Sequence, residues 1–143
     1  ACTGIEFCKL AIVETKAYAT DAVLALEERL AGIALPHPIS LHVNGCPNSC
    51  ARIQTADIGL KGQLVTIDGE QVPGYQVHLG GGLATTNREE AELGRTVRGL
   101  KVPADGIADY TERVVRRFLA DRDAATDETF AQWAHRADEE ALV

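Results

Sequence analysis

All four thiols of the chain fall in two short stretches. Cys2 and Cys8 lie in ACTGIEFC with five residues between them, and Cys46 and Cys50 lie in VNGCPNSC with three between them. Cysteines so placed open four kinds of chemistry. A free cysteine packs as a small hydrophobe, and in an oxidising compartment two of them form a disulfide. Close pairs hold structural zinc, and four thiolates hold an iron–sulfur cluster. The interval between Cys2 and Cys8 is wider than in the usual zinc pair, and nothing in the sequence points to export. The neighbouring residues favour the cluster. Gly4, Gly45 and Pro47 shape loops, and looped backbone N–H groups hydrogen-bond cluster sulfurs. Cys8 and Cys50 are each expected just before a helical turn, where the positive end of the dipole favours a thiolate. On spacing alone the packing, disulfide and zinc readings stay open.

These cysteines need elements to hold them. Ala19, Val23, Leu26 and Leu30 recur at helical spacing and predict a long helix over residues 14–31, stopped at Gly32. ISLHVNG alternates Ile39, Leu41 and Val43 with Ser40, His42 and Asn44, the pattern of a half-buried strand that feeds directly into Cys46. A short helical turn is expected over residues 51–54, followed by two strands joined at Asp68-Gly69. Residues 83–101 read as a loop with strand character near RTVRGLKV. Pro103 then introduces a helix with Ile107, Tyr110, Val114 and Phe118 on one face. A last helix is expected near 127–137, with Thr126 as its cap and Phe130 and Trp133 as its anchors. The fold class is α+β, with a small mixed or antiparallel sheet near 39–44, 57–67 and 74–79. The long helix and two carboxy-terminal helices pack on one side of it. Residues 1–143 form a single domain, and residues 138–143 are expected to be a frayed tail.

Composition narrows the partners. A chain of 143 residues that is 45% hydrophobic can bury one core. Its formal charge of -7 argues against a nucleic-acid partner, since phosphate backbones are bound by clustered Lys and Arg. No run is long enough to span a membrane and no basic-then-apolar leader is seen, so a soluble, cytoplasmic protein is expected. The absence of methionine fits a piece of a longer protein.

ACTGIEFCKLAIVETKA, NGCPNSCARIQTADIGLKG and YQVHLGGGL, in that order, resemble the carboxy-terminal portion of the siroheme and 4Fe-4S sulfite and nitrite reductases, in particular the ferredoxin-dependent assimilatory branch. The resemblance covers the whole chain. It implies a 4Fe-4S cluster held by Cys2, Cys8, Cys46 and Cys50, with Cys50 also bridging to the siroheme iron. It implies sulfite or nitrite as substrate, ferredoxin as electron donor, and earlier domains that carry most of the substrate-gripping Arg and Lys. Asn48 matches a position near the siroheme, with an Asx turn as the plainer role. Arg52, Arg95, Arg98 and Lys101 are candidates for the siroheme carboxylates, or are simply solvated. His42 and His78 read as packed strand residues, and His37 and His135 carry no signal. The stripe Arg113, Arg116, Arg117 and Arg122 fits either an acidic donor or a solvated helix face.

By itself the chain is expected to be inactive and largely apo, with its first eight residues poorly ordered and an apolar patch open to self-association. The alternatives are a siroheme enzyme fed by a pyridine nucleotide through a flavin unit, a free-standing iron–sulfur electron carrier, and a zinc-stabilised interaction domain.

Overall fold

The computed structural model describes residues 1–84 and 91–143. The middle of the 83–101 segment therefore lies outside the described residues. Helix α1 covers Lys16–Arg29. Strand β1, Leu41–Asn44, pairs in parallel with β2, Ile58–Ile67. The chain turns at Asp68 and Gly69, both left-handed, into β3, Glu70–Leu79, which runs antiparallel to β2. Strand β4, Lys101–Pro103, completes a four-stranded sheet in the order β1-β2-β3-β4. The strand character expected late in the 83–101 segment is thus confined to its end, with an isolated bridge from Arg95 to Leu79.

The register separates the two faces of the sheet. Val43, Leu60 and Val77 lie in one row across three strands, and Leu41, Ile58 and Leu79 in the next. Because strand side chains alternate, these rows share a face. That face meets α2, Ile107–Asp121, in one continuous core. Asn44, Lys61, Gln76 and Lys101 form a row on the opposite, polar face.

Helix α2 buries Ile107, Tyr110, Val114 and Phe118, the stripe its spacing predicts, and Val115 with them. Helix α1 is rotated from expectation. Ala22 is its fully buried residue, Ala19, Leu26 and Leu30 pack at the margin, and Val23 remains 44% exposed. Two links from Arg29 fix that rotation: its guanidinium reaches Asp109 at 2.5 Å, and its carbonyl accepts from Arg116 at 2.9 Å.

The carboxy-terminal end differs from the sequence reading. Helix α3 is Phe130–Arg136 and is capped by Thr129 in a capping box with Gln132, not by Thr126. The chain cannot enter a helix earlier. The Glu128 carboxylate accepts the backbone N–H of Asp123 at 2.9 Å, and Asp127 is left-handed, so residues 123–128 form a closed loop. The rings of Phe118, Phe130 and Trp133 lie 5.4 to 5.7 Å apart and join α3 to α2. In place of a frayed tail, residues Glu139–Leu142 form a short helix, α4. Leu142 is fully buried, and its carbonyl accepts the Tyr110 hydroxyl at 2.8 Å. Burial of one leucine and of one hydroxyl's partner docks what charge composition alone leaves free. Among the described residues no helix is long and apolar enough to cross a membrane.

Candidate metal centre

The second cysteine loop grows out of the end of β1. Asn44 is fully buried, and its amide grips the loop from both sides: Nδ2 donates to the Cys46 carbonyl at 2.7 Å, and Oδ1 accepts from the Ala51 N–H at 2.9 Å. The same Nδ2 lies 4.0 Å from Cys46 Sγ. Gly45 is pressed between the segment 11–15 and Gly62 of β2. A Cβ there would meet the Val13 carbonyl oxygen at 2.6 Å, and the Gly45 carbonyl itself accepts from Ile12 at 2.7 Å and Val13 at 3.1 Å. Ser49 takes a left-handed backbone between Asn48 and Cys50, its carbonyl accepts from Arg52 at 2.8 Å, and its hydroxyl bonds Gln54.

The first loop is tied to the second. Cys2 N–H donates to the Val43 carbonyl at 2.9 Å, and Gly45 N–H donates to Cys2 Sγ at 3.3 Å. Thr15 Oγ1 donates to the Cys2 carbonyl at 2.8 Å, and Cys8 N–H closes a turn onto Gly4 at 3.0 Å. Where poor order was expected in the first eight residues, the structure has a hydrogen-bonded loop. The bonds run from one loop to the other across the sheet end, and no pattern within either stretch reveals them.

All four cysteines are free; Cys46 is buried, Cys2 and Cys8 half-buried, and Cys50 exposed. Neither Cys8 nor Cys50 stands at a helix start, contrary to expectation. Cys8 leads into turns, and α1 begins only at Lys16. After Cys50 comes a single 3₁₀ turn, Ile53–Thr55, behind a left-handed Arg52. The groups that stabilise a thiolate here are single N–H donors, not helix dipoles. Among the described residues no three His, Cys, Asp or Glu side chains converge on one metal ion. A cluster makes another demand, because each thiolate binds a different iron and the ligands stand spread around the cage. Four free thiols on glycine-shaped loops, with amide N–H groups aimed at sulfur, fit that demand.

The other candidates divide. Asn48 is exposed and makes no side-chain hydrogen bond among the described residues, so the loop does not rest on an Asx turn of Asn48. Arg52 is exposed beside Cys50 without a side-chain partner among the described residues, and Arg98 and Lys101 are exposed. Arg95 is committed elsewhere: its guanidinium donates to the carbonyls of Ala134, His135 and Ala137 at 3.1 to 3.3 Å, closing the end of α3. The α2 arginines are also engaged. Arg113 bonds the Val143 carbonyl at 3.2 Å, Arg116 pairs with Glu112 at 2.8 Å, Arg117 with Asp121 at 2.6 Å, and Arg122 with Asp127 at 2.9 Å. Arg116 and Arg117 are thus paired with acids on their own helix and Arg122 with one beyond its end, while Arg113 meets a carbonyl oxygen.

Three of the histidines meet carbonyl or carboxylate groups of the protein. His42 Nδ1 lies 3.3 Å from the Arg52 carbonyl and His135 Nε2 lies 3.0 Å from the Gly80 carbonyl, while His37 faces Asp127 at 3.1 Å. Burial, with Lys61 nearby, lowers the pKa of His78 from the ordinary histidine value and so favours its neutral form. Sequence reasoning missed Asn44 and Thr15. An Asn two residues before a cysteine at a strand end was the available signal for the first, and nothing local marked the second.

An α+β domain whose two hydrogen-bonded loops offer four free thiols has, by class, the donor set that an iron–sulfur cluster takes. All of residues 1–143 match the family described as Nitrite and sulphite reductase 4Fe-4S domain, and the chain belongs to that family. It is 54% identical to Sulfite reductase (ferredoxin) 1 of Mycolicibacterium paratuberculosis, over 99% of this chain and 25% of that protein. It is 34% identical to the assimilatory ferredoxin-dependent nitrite reductase of Haloferax mediterranei, over 100% of this chain and 23% of that one. The solved structure of the Mycobacterium tuberculosis NirA protein superposes with a TM-score of 0.90 at 50% identity, over 99% of this chain and 26% of that chain. The chain thus spans about a quarter of the length of these relatives.

Proposed function

We propose that this chain is the carboxy-terminal 4Fe-4S and siroheme-ligand domain of an assimilatory reductase that takes electrons from ferredoxin in the cytoplasm. In this reading Cys2, Cys8, Cys46 and Cys50 hold the cluster, and Cys50 is shared with the siroheme iron. The carrying observation is the direct bond between the two loops, Gly45 N–H to Cys2 Sγ at 3.3 Å. That bond supports placing cysteines far apart in sequence at one site.

The cofactors, when bound, supply one-electron acceptance and the multi-electron delivery that turns sulfite into sulfide or nitrite into ammonia. The chain supplies position. Asn44 and Gly45 fix the second loop, Cys2 receives an N–H, and exposed Cys50 faces outward, as a shared ligand must. Exposed Asn48 and Arg52 flank it and are offered to the carboxylate-rich rim of the siroheme. Identities of 54% to a sulfite reductase and 34% to a nitrite reductase support sulfite as the substrate. Ile5, Phe7 and Leu10, exposed around the first loop, support a covering contact with the rest of the enzyme.

The test is anaerobic iron–sulfur reconstitution of the chain and of the full-length protein, with C46S and C50S beside each. About four irons and four sulfides per chain are expected, lost in both variants. Failure of the full-length protein to take up iron overturns the reading.

A further inference from the structure

Thr15 stands at the N-cap of α1 but does not cap it. Its hydroxyl accepts no N–H from the first turn, and Glu14 Oε1 takes over, accepting from Lys16 at 2.9 Å and Ala17 at 3.4 Å. A threonine at this position ordinarily binds the helix's free N–H groups. Here the side chain points the other way. It is fully buried, its Oγ1 donates to the Cys2 carbonyl at 2.8 Å, and the same oxygen lies 3.9 Å from Cys2 Sγ.

Both cysteine loops are shaped around it. A Cβ on Gly4 would meet Thr15 Oγ1 at 2.6 Å, and one on Gly45 would meet Thr15 Cγ2 at 3.2 Å. Gly4 is left-handed, a backbone that brings the first loop against the hydroxyl. The Tyr75 hydroxyl donates to the Glu14 carbonyl at 2.6 Å, which pins the peptide next to Thr15 to the core of the sheet. The hydroxyl therefore has a rigid base, one carbonyl acceptor and one sulfur.

We propose that Thr15 is the positioning residue of the cluster's Cys2 ligand: its hydroxyl, with Gly45 N–H, holds Cys2 Sγ and supplies it with a second hydrogen bond once the thiol proton is gone. The proposal rests on the cluster reading given above. While Cys2 is a thiol, Oγ1 lies 3.9 Å from Sγ, within reach of a weak S–H donor, and the Oγ1 proton serves the carbonyl at 2.8 Å. Were iron to replace the thiol proton, Cys2 Sγ, which already accepts from Gly45 N–H, would lose its own donor and become a stronger acceptor, and the one hydroxyl proton would be shared between two acceptors on the same residue. Hydrogen bonds to a cluster thiolate draw charge from sulfur and favour the more negative, reduced cluster. Thr15 thereby raises the reduction potential.

The experiment compares full-length parent, T15V and T15S after anaerobic reconstitution. Iron and sulfide are counted, and the cluster potential is read by redox titration followed by electron paramagnetic resonance. Valine keeps the methyl that packs on Gly45 and deletes the hydroxyl; serine keeps the hydroxyl and deletes the methyl. The expected result is a shift of T15V to lower potential, or a loss of cluster iron, with T15S restored toward the parent. Parent-like potential and iron in T15V overturn the proposal, and so does an equal defect in T15V and T15S, which would put the effect in packing. A parent that binds no iron overturns the cluster reading beneath it, and that result is read on the unmutated enzyme.

Discussion

The α2–α3 body and the cysteine loops are held together by opposite means. In the body, Phe118, Phe130 and Trp133 are at most 2% exposed, and the helices stay together because large apolar side chains leave water. In the loops, Phe7 is 70% exposed and Leu10 is 66% exposed, and position is set by backbone N–H groups, one buried asparagine and one buried threonine. The body buries its large side chains within this chain, whereas the loops leave two of theirs in water. Burial stabilises without direction, whereas hydrogen bonds fix where a sulfur points, and a metal site needs the second.

The sharpest break of this comparison is C46S or C50S. Either should abolish cluster incorporation, as read by iron content, while circular dichroism of the helices stays unchanged. W133A should do the reverse, lowering unfolding stability by about 3 to 5 kcal/mol in urea titration, because a fully buried ring leaves a cavity among its neighbours. Iron uptake by the molecules that remain folded should match the parent. G45A comes next. Its Cβ would sit 2.6 Å from the Val13 carbonyl, so the loop must shift, and iron content should fall without a comparable fall in stability.

A smaller effect belongs to pH. Arg136 holds the Glu128 carboxyl below its ordinary range by a direct hydrogen bond. A depressed folded-state pKa contributes stability above the unfolded value, and this is lost as pH falls through the folded value. E128Q should therefore be less stable than the parent at neutral pH, with the gap closing in acid, as followed by denaturation at a series of pH values. The smallest effect is expected of R117A. Its partner Asp121 lies on the exposed face one helical turn away, and such pairs contribute about 0.5 kcal/mol or less.

Much of this was legible in the sequence. Periodicity located α2, the alternation in ISLHVNG located β1, and Asp68-Gly69 marked the turn that joins β2 to β3. Those signals are local, since each depends on the backbone period of a single element. The start of α3 was misread because the carboxylate of Glu128 closes a loop back onto Asp123, an interaction with no periodic trace. The tail was misread because Leu142 finds its place against α2, and composition reports charge but not the pocket that receives one side chain.

The chain by itself determined which atoms could bind iron. Four cysteines in two glycine-bearing loops, and the order of the motifs around them, are facts of covalent sequence. Tertiary structure alone decided how those atoms are held. The sheet brings Val43 and Gly45 to Cys2, turns Thr15 away from the helix it heads and toward that cysteine, and commits Arg95 to the end of α3. A side chain's type fixes its chemistry, but its partner is whatever the rest of the fold places within hydrogen-bonding distance.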